Sequence, residues 1–379
     1  MQTQVTEQLA QTNDKANTEL LNILYPPIPF LAAVGDGVTD DTAAIQNLLN
    51  YLRDIGGGTL FIPAGKTFIV GDLKLYSGSH IKGNALDGYL NSLIPSLKAK
   101  TGSFSVIDIN NADGFTIENL IIDGNNKSSS GLNSKGEGGR IYKVKFVQCA
   151  TAIGGYAGRY LGTTNIIECY FNRNGTGVTN LRDSKILDSF FYEQSYSGIN
   201  LTDGSNDNVI QGNKLEWNTN NGIGSYLANH NIINANVIDR NGDAGISLIS
   251  SSYTSITSNM FRRNGATTTE DNQKSHIFLQ GCTEITETGN TTVIGNTQDD
   301  GSGISAPKYA QVVQNSTDIN VTGNDLKGFV TQCLLQTGNT RLLFQLNTGD
   351  PDKDTVINVV TQAQYDALTD KTGLYVIQG

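Results

Sequence analysis

The feature that most constrains this chain is an internal repeat between about residues 115 and 330, with successive periods of 20, 24, 23 and 23 residues where it is clearest. Each period holds three apolar anchors, and each anchor lies in a short alternating run bounded by Asn or Gly. The anchors form three columns: Ile166, Ile186, Ile210, Ile233 and Ile256; Phe171, Phe191, Leu215, Ile238 and Phe261; and Val178, Ile199, Ile223 and Ile246. Because alternation is typical of half-buried strands, the repeat predicts a coil with three strands and three turns per lap.

Asparagines recur at fixed places in the predicted turns. Asn213, Asn236 and Asn259 follow the first anchors by three residues, and Asn174, Asn218, Asn241 and Asn264 follow the second anchors by three. Laps stacked about 4.8 Å apart bring equivalent amides within hydrogen-bonding distance, as in the ladders of stacked sheets. We therefore predict an all-β fold, a right-handed, single-stranded parallel β-helix. A leucine-rich repeat is excluded because the LxxLxL spacing and a helix in each period are missing.

The two ends of the chain depart from the repeat. Residues 1–30 are predicted to form an N-terminal arm, either a helix through residue 24 with weak heptad spacing or a polar arm, followed by a proline-rich linker. The β-helix domain is predicted over residues 31–339. It opens with a capping helix that starts after Thr39 or Asp40, buries Ile45, Leu48, Leu49 and Leu52, and ends at Gly56; strands are predicted over 59–63 and 67–70. Residues 340–379 are predicted to form a small C-terminal module with strands at 342–344, 356–360 and 374–377 and a helix over 362–368.

Composition excludes several classes of protein. The formal net charge is −10 and the basic residues are not clustered, so no nucleic-acid partner is expected. No apolar run approaches the roughly 18 residues of a membrane span, and no secretory signal begins the chain. The four cysteines are predicted to be buried apolar residues. We expect no cofactor and no dedicated metal site, with weak Ca²⁺ binding by paired turn aspartates as the exception.

Residues 34–46 have the sequence VGDGVTDDTAAIQ, and GGGTLFIPAG follows at 56–65. This pair of segments resembles the start of the pectate-lyase-like β-helix superfamily, in which it caps one end of the coil. Within that superfamily the chain looks most like a bacteriophage tailspike or appendage protein. The resemblance implies a homotrimer in the virion tail that attaches to other tail proteins through its termini and binds, and often cuts, a polysaccharide of the bacterial surface. No catalytic residue is carried over, because neither the calcium-binding carboxylates nor the catalytic Arg segment of pectate lyases is matched.

Two neighbouring columns carry most of the side chains suited to sugar chemistry. The residues one and two positions after the second anchors are Asn172, Tyr192, Glu216, Asp239 and Arg262, then Arg173, Glu193, Trp217, Arg240 and Arg263. Aromatic faces and fixed polar groups suit a sugar chain lying on the coil, so we predict that Trp217, Tyr192, Arg173, Arg240, Arg262 and Arg263 bind substrate. Glu216 and Asp239 are the predicted acid and nucleophile or base of a glycoside hydrolase, with Glu193 in reserve. Adjacent laps favour the spacing of a retaining pair, whereas Glu193 and Asp239, two laps apart, approach that of an inverting pair.

Four alternatives remain open at this stage. The same strip fits a solvated face whose charges pair between laps, or a non-catalytic receptor-binding protein. It also fits a lyase acting on an acidic glycan, in which Arg240, Arg262 or Arg263 neutralises the uronate and Tyr192 takes the proton. The small terminal modules suit a structural tail connector. Glu168 and Asp188 form a second carboxylate pair with fewer aromatic neighbours.

Exposed apolar residues are predicted on the third strand of each lap. Thr202, Tyr226, Ile249 and Gln280 should point outward there, with Phe278 nearby, and such a strip suits a subunit contact in a trimer. Loops 266–275 and 295–310 interrupt the coil and are predicted to border a groove.

Overall fold

The computed structural model describes residues 20–84, 93–126, 129–154, 160–265, 267–295, 306–349, 358–361, 366 and 375–378. Within them the predicted parallel β-helix is confirmed: the strands fall into three long parallel sheets, and every lap contributes to them in turn. We call these sheets first, second and third, in the order in which a lap visits them.

The strand bounds follow the lap order closely. The first sheet contains Leu20–Asn22, Gly58–Ile62, Ser79–Gly83, Thr116–Glu118, Arg140–Tyr142, Asn165–Ile167, Lys185–Leu187, Val209–Gln211, Ile232–Asn234, Ser255–Thr257, Thr283–Thr288, Thr317–Thr322 and Thr340–Gln345. The second sheet contains Asp36–Asp40, Thr67–Val70, Ser96–Ala99, Ile121–Asp123, Lys145–Val147, Tyr170–Asn172, Phe190–Tyr192, Lys214–Glu216, Val237–Asp239, Met260–Arg262, Thr291–Val293 and Asp325–Leu326. The third sheet contains Leu73–Leu75, Ser105–Asp113, Ser130–Glu137, Thr151–Gly154, Leu161–Gly162, Thr176–Thr179, Leu181–Arg182, Ile199–Leu201, Ile223–Tyr226, Ile246–Ile249, Ser275–Gln280, Tyr309–Gln314 and Gln332–Thr337.

The three predicted anchor columns lie in register inside the coil. Ile186 pairs with Ile210 in the first sheet, and Phe191 pairs with Leu215 in the second. All anchors are fully buried. The rings of Phe171 and Phe191 stack with their centroids 4.4 Å apart, so the interior is a continuous apolar stack that runs along the coil.

The predicted asparagine ladders are present. Asn213 Nδ2 donates to Asn236 Oδ1 at 3.0 Å, and Asn236 repeats the contact with Asn259 at 3.0 Å. The same amides also accept from the backbone N–H of the preceding lap and donate to its carbonyls. Each buried turn amide thus satisfies backbone groups that the turn removes from the sheets.

The predicted capping helix is α1 (Thr42–Asp54), which buries Ile45, Leu48, Leu49 and Leu52 against the first laps. Asp40 Oδ1 accepts from the Thr42 N–H at 3.1 Å, while Asp41 turns back to accept from the Val34 and Gly35 amides at 2.6 and 3.1 Å. The acidic pair in the motif therefore holds both the helix start and the segment before it. Among the described residues, no helix combines the length and apolar composition that crossing a membrane would require.

Both predicted domain boundaries need correction. Residues 1–19 lie outside the described residues, but Leu20–Asn22, at the end of the expected arm, is a strand paired with Thr59–Phe61. At the other end, Thr340–Gln345 pairs with Thr317–Thr322, and Asn347 extends the ladder from Asn324. The coil therefore runs from 20 to 348. Beyond it, Asn358–Thr361 and Tyr375–Gln378 form a separate parallel pair; the helix predicted between them falls outside the described residues except for Asp366, which is helical.

The core of the last laps holds polar side chains. Glu287 continues the first anchor column after Ile256, and Gln311 continues the third after Ile277. Gln311 Nε2 donates to Glu287 Oε1 at 2.6 Å, and both side chains are fully buried. Burial raises the pKa of Glu287 from 4.5 to about 8. Buried His276, whose pKa burial lowers to about 4, contacts the Gly328 carbonyl through Nε2 at 2.8 Å.

Candidate functional site

The predicted strip exists as a continuous outward column on the second sheet. Asn172, Tyr192, Glu216, Asp239 and Arg262 pair in parallel register from lap to lap. The next residue in each lap, from Arg173 to Arg263, has a left-handed backbone with φ between 49° and 60°. Such a backbone is costly for a residue with a side chain, and its repetition means that the turn geometry aims these five side chains outward in the same way.

Asp239 lies at the centre of a buried charge cluster. Arg240 Nη1, Arg262 Nη2 and Arg263 Nη2 donate to its Oδ2 at 2.6, 2.9 and 2.6 Å, and Arg263 Nε donates to Oδ1 at 3.0 Å. The Asp239 side chain is 0% exposed. One carboxylate therefore holds three guanidinium groups together, which leaves the cluster with a local charge of +2.

The cluster is closed from outside by the following lap. A Cβ added to Gly295 would lie 2.2 Å from Arg263 Cδ, so the backbone at 295 passes directly over this side chain. Arg263 is 1% exposed. Glycine is needed at 295 because a larger residue would displace the arginine that orients Asp239.

The other two carboxylates of the strip remain accessible. Glu216 is 14% exposed and lies 3.2 Å from Lys214 Nζ, and Glu193 is 34% exposed and accepts from Arg173 Nε at 2.6 Å. The Glu193 N–H donates to the Glu216 carbonyl at 3.1 Å, so these residues occupy adjacent laps. The open half of the strip thus carries two ion-paired carboxylates one lap apart, about 5 Å in sheet spacing.

Aromatic rings border the open half. Trp217 is exposed, with the Arg240 guanidinium 4.8 Å from its ring centroid, and Phe190 is also exposed. The rings of Tyr170 and Phe190 are 6.2 Å apart. Flat apolar faces beside fixed charged groups are the usual composition of a sugar-binding surface.

The two tyrosines beside the carboxylates are held in their protonated form. Burial first, and then the charges of Glu193 and Glu216, raise the pKa of Tyr170. Burial and Glu193 raise the pKa of Tyr192. A tyrosine with a raised pKa donates hydrogen bonds at neutral pH and is a poor proton acceptor.

The structure brings the predicted site residues together on one face, but it divides them into two groups. Arg173, Tyr192, Glu193, Glu216 and Trp217 line the open half. Asp239 and Arg263 are enclosed, with Arg240 and the 28% exposed Arg262 at the border. Both of the predicted catalytic pairs contain Asp239, so neither pair can flank a glycosidic bond in this arrangement.

Sequence analysis missed Tyr170 and Phe190, which lie two positions before the strip residues on the same strands. Alternation along each strand places them on the same face, so the periodicity contained the signal. A depression of about 330 Å³ continues the strip toward the N-terminus and is lined by Asn126, Gln148, Arg173 and Glu193.

Other predicted features are placed as follows. Glu168 pairs with Lys143 at 3.5 Å, and both it and Asp188 occupy left-handed turn positions away from the strip. Tyr226 is exposed as expected. The expectation of an exposed Phe278 is wrong: it is buried in a small cluster with Ala244, Tyr309 and Val312. Of the loops expected to border a groove, the described part, 267–275, contains Asp271, which Lys308 contacts at 2.9 Å. Among the described residues, no group of three or more His, Cys, Asp or Glu side chains is arranged for a metal ion.

Two family models match the chain. The model described as a right handed beta helix region matches residues 160–326, and the model described as rhamnogalacturonase A/epimerase, pectate lyase-like, matches residues 31–92. The second match contains the acidic motif and α1, and the first contains the asparagine ladders.

Similar proteins include enzymes and phage proteins. A segment of 122 residues is 30% identical to mannuronan C5-epimerase AlgE1 of Azotobacter vinelandii, which is 29% of this chain but only 9% of the epimerase. The A-module of A. vinelandii mannuronan C-5 epimerase AlgE6 superposes with a TM-score of 0.56 at 16% identity, over 84% of this chain and 98% of that module. The enzymatically active domain of tailspike protein 2 from bacteriophage CBA120 superposes with a TM-score of 0.56 at 14% identity, over 85% of this chain and 52% of that one.

Proposed function

Because the chain is a right-handed parallel β-helix of the pectate-lyase-like type, we propose that it binds a polysaccharide lengthwise on the second sheet and cleaves it by hydrolysis. We place the sugar chain on the open half of the strip, over Phe190, Tyr192 and Trp217. The proposed substrate is a glycan of the bacterial surface.

One observation carries this proposal: Glu193 and Glu216 are accessible carboxylates on adjacent laps, and exposed aromatic rings flank them. Glycoside hydrolysis needs two carboxyl groups on either side of the scissile bond, about 5–5.5 Å apart in retaining enzymes. The lap spacing of about 4.8 Å supplies a separation of that order.

The remaining strip residues take supporting roles in this proposal. Arg173 and Lys214 orient the two carboxylates through their ion pairs. Asp239 becomes a positioning residue, since it has no accessible surface and holds the three arginines in place. Through Arg240 it also fixes the cation beside Trp217.

Release of reducing ends from host polysaccharide tests the proposal. Glu216→Gln and Glu193→Gln should each lower the rate at least a hundredfold, because general acid or nucleophilic catalysis is lost. Glu137→Gln, an exposed glutamate of the third sheet, is the matched control and should retain full activity. Cleavage unchanged in both strip variants would place the active site elsewhere.

A second candidate function is lysis or epimerisation of an acidic glycan, and the segment shared with mannuronan C5-epimerase favours it. The local charge of the arginine cluster would suit a uronate. The raised pKa of Tyr192 counts against this residue as the base, so this candidate needs another proton acceptor. Polymannuronate incubated with the protein separates the candidates: a lyase yields ultraviolet-absorbing unsaturated ends, an epimerase alters C5 configuration without cleavage, and a hydrolase does neither.

We further propose that the protein belongs to a phage tail and is a homotrimer. The tailspike-like fold and the exposed Tyr226 of the third sheet support this placement. The non-catalytic alternative is a receptor-binding protein with the same strip, for which binding without released ends would be decisive.

A further inference from the structure

A second column of turn residues runs along the edge where the third sheet passes into the first. Each member has a left-handed backbone with φ between 54° and 58° and lies two positions before an in-register residue of the first sheet. The members are Asp207, His230, Tyr253, Glu284, Asp318 and Arg341. This edge lies away from the second-sheet strip.

Neighbours in this column are paired except at one place. Asp207 Oδ1 lies 3.7 Å from His230 Nδ1, and the His230 and Tyr253 rings stack 5.0 Å apart at an interplanar angle of 24°. At the other end Arg341 donates two hydrogen bonds to Asp318. Glu284, between these groups, makes no hydrogen bond or ion pair with any other described residue.

The gap in the column is a depression of about 410 Å³. Tyr253, Ser255, Glu284, Thr286 and Asp318 line it together with Thr254, and we call it the corner site. Ser255 and Thr286 pair in register, so their hydroxyls lie one lap apart on its floor. Tyr253 is 52% exposed, with one face supported by His230.

We propose that the corner site binds a neutral hexose unit of a polysaccharide, separately from the strip. The supported Tyr253 ring offers a flat apolar surface for the C–H face of a pyranose. Glu284 and Asp318 accept hydrogen bonds from neighbouring sugar hydroxyls, and carboxylates form the stronger, charge-assisted kind. Arg341 lowers the pKa of Asp318, which keeps this acceptor ionised.

The charge of the corner site selects the class of sugar. Two carboxylates against the single guanidinium of Arg341 leave it negative, so a uronate, sulfate or phosphate group would be repelled. The strip, by contrast, carries a cluster with a local charge of +2. The two sites therefore differ in the sugars they accept, and the corner site serves as an attachment point for neutral segments of a chain.

Calorimetric titration of the full chain with cellohexaose, maltohexaose, mannohexaose and polymannuronate oligomers tests the proposal. At least one neutral hexaose should bind, and Tyr253→Ala should weaken its affinity at least tenfold, whereas Tyr253→Phe should retain it because the ring remains. Glu284→Gln should weaken it severalfold. Tyr25→Ala, an exposed tyrosine of the first lap, is the control and should bind as the wild type does.

Three results would overturn the corner site: no neutral hexaose binds, Tyr253→Ala binds as tightly as the wild type, or Ca²⁺ binds at Glu284 and Asp318 and sugar binding ignores Tyr253. The strip variant Glu216→Gln distinguishes the two proposals. It should lose cleavage and keep neutral-hexaose binding, so failure of one site is seen independently of the other.

Discussion

At the scale of single residues, the chemistry of the strip is decided by which carboxylates are covered. Asp239 and Glu216 occupy equivalent positions on adjacent laps, yet one is enclosed by three arginines and the other is open. Sequence periodicity placed both on one face correctly. It could not show that Arg263 folds under Gly295 and converges on Asp239, because that contact comes from a lap 31 residues longer than the regular spacing would suggest for its neighbours in the ladder, Asn259 and Asn290.

Asp239→Asn should destabilise the protein by about 3–5 kcal/mol, since removing one partner of a buried ion cluster leaves the others uncompensated. Urea unfolding measures the loss. Glu216→Gln, whose ion pair with Lys214 is near the surface, should cost less than about 1 kcal/mol. Equal stability of Asp239→Asn and wild type would contradict the positioning role.

The Glu287–Gln311 pair predicts a pH dependence. Because burial raises the pKa of Glu287 from 4.5 to about 8, the native state keeps a proton that the unfolded state loses above pH 4.5. Stability from this group is therefore present at low pH and falls as pH rises from about 4.5 to about 8, with a slope of at most about 1.4 kcal/mol per pH unit. Glu287→Gln should abolish that part of the slope in unfolding measured across the window; an identical slope in both proteins would refute it.

At the scale of elements, what the sequence predicts best is what repeats. The anchors and the asparagine ladders follow from periodicity, because stacked laps require each column to be compatible with itself. The last laps escaped because Thr340, Leu342 and Phe344 continue the alternation with threonine in place of Ile and Val, and because Glu287 and Gln311 occupy anchor positions. Phe278 was misplaced since its cover, Tyr309, comes from an insertion without periodicity.

The ladder predicts a clear difference between two asparagines of one lap. Asn236→Ala removes acceptors for the Asn213 N–H and Nδ2 and leaves buried groups unsatisfied, so it should cost about 1–3 kcal/mol or more in unfolding free energy. Asn234→Ala, on the outward face of the same strand end, should cost less than about 0.5 kcal/mol. Similar losses from the two changes would mean that the ladder contributes little to stability.

At the scale of the whole molecule, the coil supplies a long, rigid surface on which separate laps present separate chemistry. The strip and the corner site lie on different sheets, so one polysaccharide chain or two can be held without rearrangement. The proposed trimer predicts a mass three times the 40.7 kDa of the chain in light scattering. A monomer at micromolar concentration would contradict the proposed assembly and leave the strip proposal intact.

Trp217 is the single tryptophan of the chain and lies on the open half of the strip, so its fluorescence reports directly on the central claim. Titration with the polysaccharide that the protein binds should shift and saturate the Trp217 emission, and Phe190→Ala should weaken the response several-fold. Saturable polysaccharide binding that leaves the emission unchanged would contradict the account.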